Sequence, residues 1–111
     1  MQPKRIALLA RQAAEDKQAV DPVILDVGKL TSAANYFFIA HGNSDRQVRA
    51  IAEHIVETLK KKKERPWHVE GLTTGEWVLL DYGAVLVHVF YRETRSFYSL
   101  ETLWGDSAKV K

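Results

Sequence analysis

Residues 75–90, GEWVLLDYGAVLVHVF, constrain the fold more than any other stretch of the chain. Two runs rich in apolar and β-branched residues flank Tyr82-Gly83, which predicts an antiparallel hairpin with Gly83 supplying the positive φ of a two-residue turn. Asp81 would then pair with Ala84, Leu80 with Val85, Leu79 with Leu86, Val78 with Val87 and Trp77 with His88. Side chains alternate across a strand, so the hairpin divides into two faces. One carries Val78, Leu80, Val85, Val87 and Val89, the compact β-branched surface expected beneath packed helices. The other carries Trp77, Leu79, Asp81, Leu86, His88 and Phe90. Neither face is polar, and a sheet with one side in water needs only one apolar face.

The rest of the chain says how many helices are available to cover them. In the first segment Ile6, Leu9, Ala10 and Ala13 recur at helical spacing, with Lys4, Arg11, Gln12 and Glu15 left for solvent. Its apolar run, residues 6–10, is too short for a secretory core, so the segment reads as a helix of the domain. Residues 20–28 and 35–42 read as strands. Ser44 with Gln47 three positions on forms a capping box, followed by the stripe Val48, Ile51, Ala52, Ile55 and Leu59. Residues 60–63 are four consecutive lysines, favoured at a helix C-terminus by its partial negative charge, and Pro66 stops the helix. A short strand at 67–70, the hairpin and a helix over 97–104 complete the order α, β, β, α, β, β, β, α. That order predicts an α/β (α+β) domain: one mixed five-stranded sheet, residues 1–111, with helices mainly on one face.

Three short helices cover one face of such a sheet and not readily both. The face bearing Trp77 therefore suits contact with another molecule, since each buried ring removes about 150–250 Å² from water. The alternative is that a helix or the C-terminal tail covers it. On the first reading Trp77, Leu79, Leu86 and Phe90 are the apolar anchors, and Asp81 and His88 fix the register. Phe97, Leu100 and Trp104 are spaced to share a helical face and are assigned to the core.

Several chemistries lack their signals. There is no cysteine, which removes thiolate metal sites and disulfides and permits a reducing compartment, so a cytoplasmic protein is expected. His41, His54, His68 and His88 follow no metal-binding spacing, and no cofactor is expected. Gly42-Asn43-Ser44 at a strand-to-helix turn is the one place where backbone donors suit a phosphate. Nucleotidyl transfer would also need paired carboxylates, yet Asp26 is followed by Val27-Gly28 and Asp81 by Tyr82-Gly83. A net charge of +2 makes no strong general field for nucleic acid, leaving the lysine run as the local candidate. No run is long and apolar enough for a membrane span.

Across nearly its whole length the chain resembles the ribosomal silencing factor, or Iojap-like, family. The likeness rests on LDVGKLTSAANYFFIAHGNSDRQVRAIAEHI, EGLTTGEWVLLDYGAVLVHVF and ETRSFYSLETLW, in the family's order. Asn35 stands where the family usually has Asp, and Ser107 alters the tail after Trp104. The resemblance implies a nucleotidyltransferase-like sheet without transferase activity. It also implies binding to the large ribosomal subunit through its L-fourteen family protein, which blocks joining of the small subunit and lowers translation when nutrients are scarce. Arg95 and Tyr98, within the last motif, extend the expected contact surface, a sheet-facing Tyr98 being the alternative. Three other readings stay open: an RNA-binding module using residues 60–63, with ribosomal RNA as a minor contact; a nucleotidyltransferase-like enzyme; and a weak homodimer through the same face.

Overall fold

The computed structural model describes all 111 residues. Helix α1 (Pro3–Asp16) opens with Pro3, whose fixed φ suits a first helical turn, and buries Ile6, Ala7, Ala10, Ala13 and Ala14. Strands β1 (Val20–Asp26) and β2 (Tyr36–Gly42) pair antiparallel. Helix α2 (Asp45–Lys60) starts as its capping box predicts: Ser44 Oγ accepts from the Gln47 N–H at 3.0 Å. Gln47 Oε1 reaches one residue further back than in the usual box and accepts from the Asn43 N–H at 2.7 Å. All five stripe residues, Val48, Ile51, Ala52, Ile55 and Leu59, are fully buried. Three more strands and two short helices follow: β3 (His68–Glu70), β4 (Trp77–Asp81), β5 (Val85–Tyr91), α3 (Arg92–Tyr98) and α4 (Leu100–Leu103).

The sheet has six strands and not five, in the order β3-β4-β5-β2-β1-β6. The added strand, β6 (Ala108–Lys109), lies against Leu25 and Asp26 at one edge, and the Val110 N–H donates to the Ile24 carbonyl at 2.9 Å. Two residues carry no period from which a strand can be read. Only β2 and β5 run parallel; every other neighbour is antiparallel.

The hairpin forms with its turn one residue later than predicted. Tyr82 and Val85 close it, the Tyr82 N–H donating to the Val85 carbonyl at 2.9 Å, so that Gly83 and Ala84 are the turn residues. Gly83 has φ of 80°, and the Asp81 carboxylate accepts from its N–H at 2.7 Å. Trp77 consequently faces Phe90, Leu79 faces His88 and Asp81 faces Leu86. Moving the turn by one residue slides each partner by two. A two-residue slide preserves the faces, which is why the division into faces stands although the register does not.

Helices α1 and α2 lie on the face carrying Val78, Leu80, Val85, Val87 and Val89 and seal it: together with Ile24, Phe38, Ala40 and the helix stripes these belong to one cluster of 19 buried residues. The C-terminal pair α3–α4 lies on the opposite face. There Leu25, Val27, Ala34, Phe37, Ile39 and Phe90 form a second cluster of six, with Val23, Trp77, Leu86, Leu100 and Trp104 packed at its margin.

Candidate interaction surface

The second face is therefore partly covered, by the C-terminal segment, and not left bare. A polar clamp holds that cover down. Arg95, on α3 and only 7% exposed, donates Nε to Glu101 Oε1 at 3.1 Å and Nη2 to Oε2 at 2.8 Å, a bidentate pair across the α3–α4 junction. Its Nη1 reaches the sheet, meeting the Val20 carbonyl at 3.2 Å and His41 Nδ1 at 2.9 Å. The acceptor role leaves His41 neutral, and burial followed by the Arg95 charge lowers its pKa. Glu101 is lowered in turn, chiefly by the Arg95 hydrogen bonds. These groups border a polar cleft of about 550 Å³ with Asp21, Ser96 and Thr102. Arg95 is thus a buried fastening and not part of an exposed patch. His41 and Glu101, which complete it, carry no spacing signal in the sequence.

Next to the clamp a series of rings crosses the sheet. Trp104 meets Phe37 edge-on with centroids 5.1 Å apart, and Phe37 meets His88 edge-on at 5.3 Å. Trp77 lies 4.9 Å from Phe90 and 4.7 Å from Tyr98, and Tyr98 meets Phe97 at 5.1 Å. Trp77 Nε1–H donates to His88 Nδ1 at 3.1 Å, which fixes the proton of His88 on Nε2. That Nε2 is buried and meets no hydrogen-bonding group of the chain. Burial pushes the His88 pKa down to about 4, so the ring is neutral across the ordinary pH range.

The predicted residues separate by exposure. Phe90 is completely buried, and His88 is 6% exposed; the expectation that both lie bare is corrected, because α3–α4 and the Trp77 ring close over them. Trp77, Leu79, Asp81 and Leu86 remain half-buried, and Tyr98 is exposed. The Asp81 carboxylate is engaged in its own turn through the Gly83 N–H. A shallow depression of about 340 Å³ opens between Glu70, Gly71, Trp77 and Leu79. Phe97, assigned to the core from its spacing with Leu100 and Trp104, is instead 80% exposed. The cause is Ser99: its left-handed conformation, φ 47°, ends α3 and starts α4, so the three residues do not share one helical face. Leucine and tryptophan of that trio do pack on the second cluster.

The other sequence candidates are placed as follows. Two of the N–H groups at the strand-to-helix turn, those of Asn43 and Gln47, are already bonded to Gln47 Oε1 and Ser44 Oγ, which leaves fewer donors there for a phosphate. His54 meets Asp16 at 3.3 Å and His68 meets Glu70 at 3.1 Å. Residues 60–63 are exposed, Lys60 as the last residue of α2 and the other three just past it.

Comparison with known proteins adds the family. The model described as "Ribosomal silencing factor during starvation" matches residues 1–111. The ribosomal silencing factor of Bacillus subtilis is 44% identical over 96% of this chain and 91% of its own length. The crystal structure of a Chromobacterium violaceum protein superposes with a TM-score of 0.92 at 41% identity, covering 95% of this chain and 88% of that one. The mouse protein named "Mitochondrial assembly of ribosomal large subunit protein 1" is 32% identical over 79% of this chain and 40% of its own length. A match over every residue, on a fold shared with a solved structure of like sequence, places this chain in the ribosomal silencing factor family.

Proposed function

We propose that this protein represses translation by occupancy: it docks on the large ribosomal subunit through the L-fourteen family protein and blocks joining of the small subunit. The family supports a ribosomal role, and the name of the mouse relative supports the large subunit as partner. The observation that carries the docking site is the strip of Trp77, Leu79, Leu86 and Tyr98, left partly open where the C-terminal cover stops, with Phe97 exposed beside it. Rings already packed against one another lose little side-chain freedom on binding, which is what the centre of an interface favours. Phe90 and His88 act from beneath, holding the Trp77 ring from below and at its nitrogen. Such a mechanism makes and breaks no bond and needs no cofactor.

Co-sedimentation with purified large subunits tests this reading. Leu79→Asp places a charge in the half-open strip and is expected to weaken binding at least tenfold, about 1.4 kcal/mol or more. Trp77→Ala should cost about 2 kcal/mol, roughly thirtyfold. Unchanged binding by both variants, each folded by circular dichroism, would remove the strip from the site.

A further inference from the structure

The end of the molecule beyond α2 carries a second surface that the docking strip does not use. Over residues 60–67, KKKKERPW, five cations stand against the single carboxylate of Glu64. Lys60, Lys61, Lys62, Lys63 and Arg65 are all exposed. Met1 meets Glu64 at 3.2 Å, which brings the start of α1, with exposed Lys4 and Arg5, to the same end. Two residues after Arg65 in the same segment stands Trp67, 80% exposed.

Though exposed, this indole has a seat on the fold. The Trp67 backbone N–H donates to the Asp81 carbonyl at 2.7 Å, extending the β3–β4 ladder by one residue. Its six-membered ring rests on the Gly83 turn so closely that a Cβ at position 83 would lie 2.9 Å from Cη2 and 3.0 Å from Cζ2. Gly83 is thus required twice, for its φ of 80° and as the seat of the ring. The indole is positioned by backbone and turn while most of its surface stays open.

We infer that Trp67 and the lysine run form a contact for unpaired nucleotides of RNA, the ring stacking on a base and the cations neutralising flanking phosphates. Protein interfaces are depleted in lysine at their centres, whereas an aromatic platform within a basic surface is the pattern of single-strand recognition. A protruding ring finds an open base face in a loop or single strand and none in a regular duplex. The choice of RNA rests on the ribosomal reading above; the stacking chemistry does not.

Fluorescence anisotropy of a labelled, unstructured uridine oligonucleotide of about ten residues, titrated with the full chain, tests the inference without ribosomes. If four phosphates are neutralised, affinity should fall roughly fiftyfold between about 50 and about 200 mM salt. Trp67→Ala should weaken binding about tenfold with the salt slope unchanged, and Trp67→Phe should restore most of it. Lys61→Glu combined with Lys62→Glu should flatten the slope. Leu79→Asp should bind the oligonucleotide like the parent, so a failure of the docking strip and a failure of this surface give different results. No binding at the lower salt, an equal affinity for duplex RNA, or parental affinity in Trp67→Ala would overturn the inference. So would a Trp67→Ala variant that keeps its affinity for the oligonucleotide and loses binding to the purified L-fourteen family protein in a parallel titration, which would assign the ring to a protein contact.

Discussion

The two faces of the sheet bury comparable kinds of residue by different means. Under α1 and α2 the sheet presents mainly valine, with Ile24, Leu80, Ala40 and one phenylalanine, to two long amphipathic helices, and 19 residues close into a cluster with no charged member. On the other side two helices of seven and four residues cover six buried side chains and leave rings at the margin. The first face is held by dispersion and the hydrophobic effect over its whole area. The second is held at one end by the Arg95–Glu101–His41 fastening and thins out toward Trp77 and Tyr98. A face built to be sealed uses small interlocking side chains. One that ends in half-open rings leaves surface for another molecule to complete.

The contrast is sharpened first by deletion on the sealed side. Phe38→Ala, at a fully buried position, should destabilise the fold by about 3–5 kcal/mol in denaturant titrations, through lost transfer energy and the cavity left behind. An effect near zero would mean the first face is not the principal core.

Acid should act through the second face. His88 titrates near 6.5 when unfolded and near 4 when folded, so between these values the unfolded chain binds more protons. Its contribution is complete above about pH 6.5 and is lost as pH falls toward 4, a total of about 3 kcal/mol. His41, also lowered, acts with the same sign, and Glu101 adds a loss as pH drops through the carboxylate range. Thermal melts from pH 7.5 to 4.5 should show this decline, and His88→Gln should flatten it. A profile rising toward acid would contradict the buried, neutral ring.

Glu101→Ala leaves the Arg95 guanidinium without its carboxylate. Because Glu101 is about one-third exposed, the expected cost is about 2 kcal/mol, below that of a fully buried pair. Amide exchange should quicken in α3 and α4 before α2 responds, which separates a local fastening from a global core contact. Tyr98→Ala is expected to change stability by only about 0.5 kcal/mol, because that ring is half exposed. A large loss would mean that Tyr98 belongs to the cover and not to the open strip.

Much of this was legible in residue spacing. The α2 stripe and its capping box are strong periodic and local signals, and the structure realises every stripe position. The hairpin faces could be read despite the misplaced turn, because a period of two is blind to a slide of two. What spacing could not supply was the left-handed Ser99, since serine carries no preference strong enough to mark a helix break of this kind. That single residue turns Phe97 outward while Leu100 and Trp104 stay against the sheet. Nor could periodicity join Arg95 to His41, 54 residues away, because a tertiary ion and hydrogen-bond network has no sequence period.

On the proposed docking, the ribosomal partner completes the half-open margin of the second face. Amide hydrogen exchange of the whole chain, alone and with the purified L-fourteen family protein, measures this directly. Slowed exchange should concentrate at the outer part of β4, at Leu86 and around Phe97 and Tyr98, with α1 and α2 unchanged. Protection confined to the α1–α2 side, or none while the complex is formed, would contradict it.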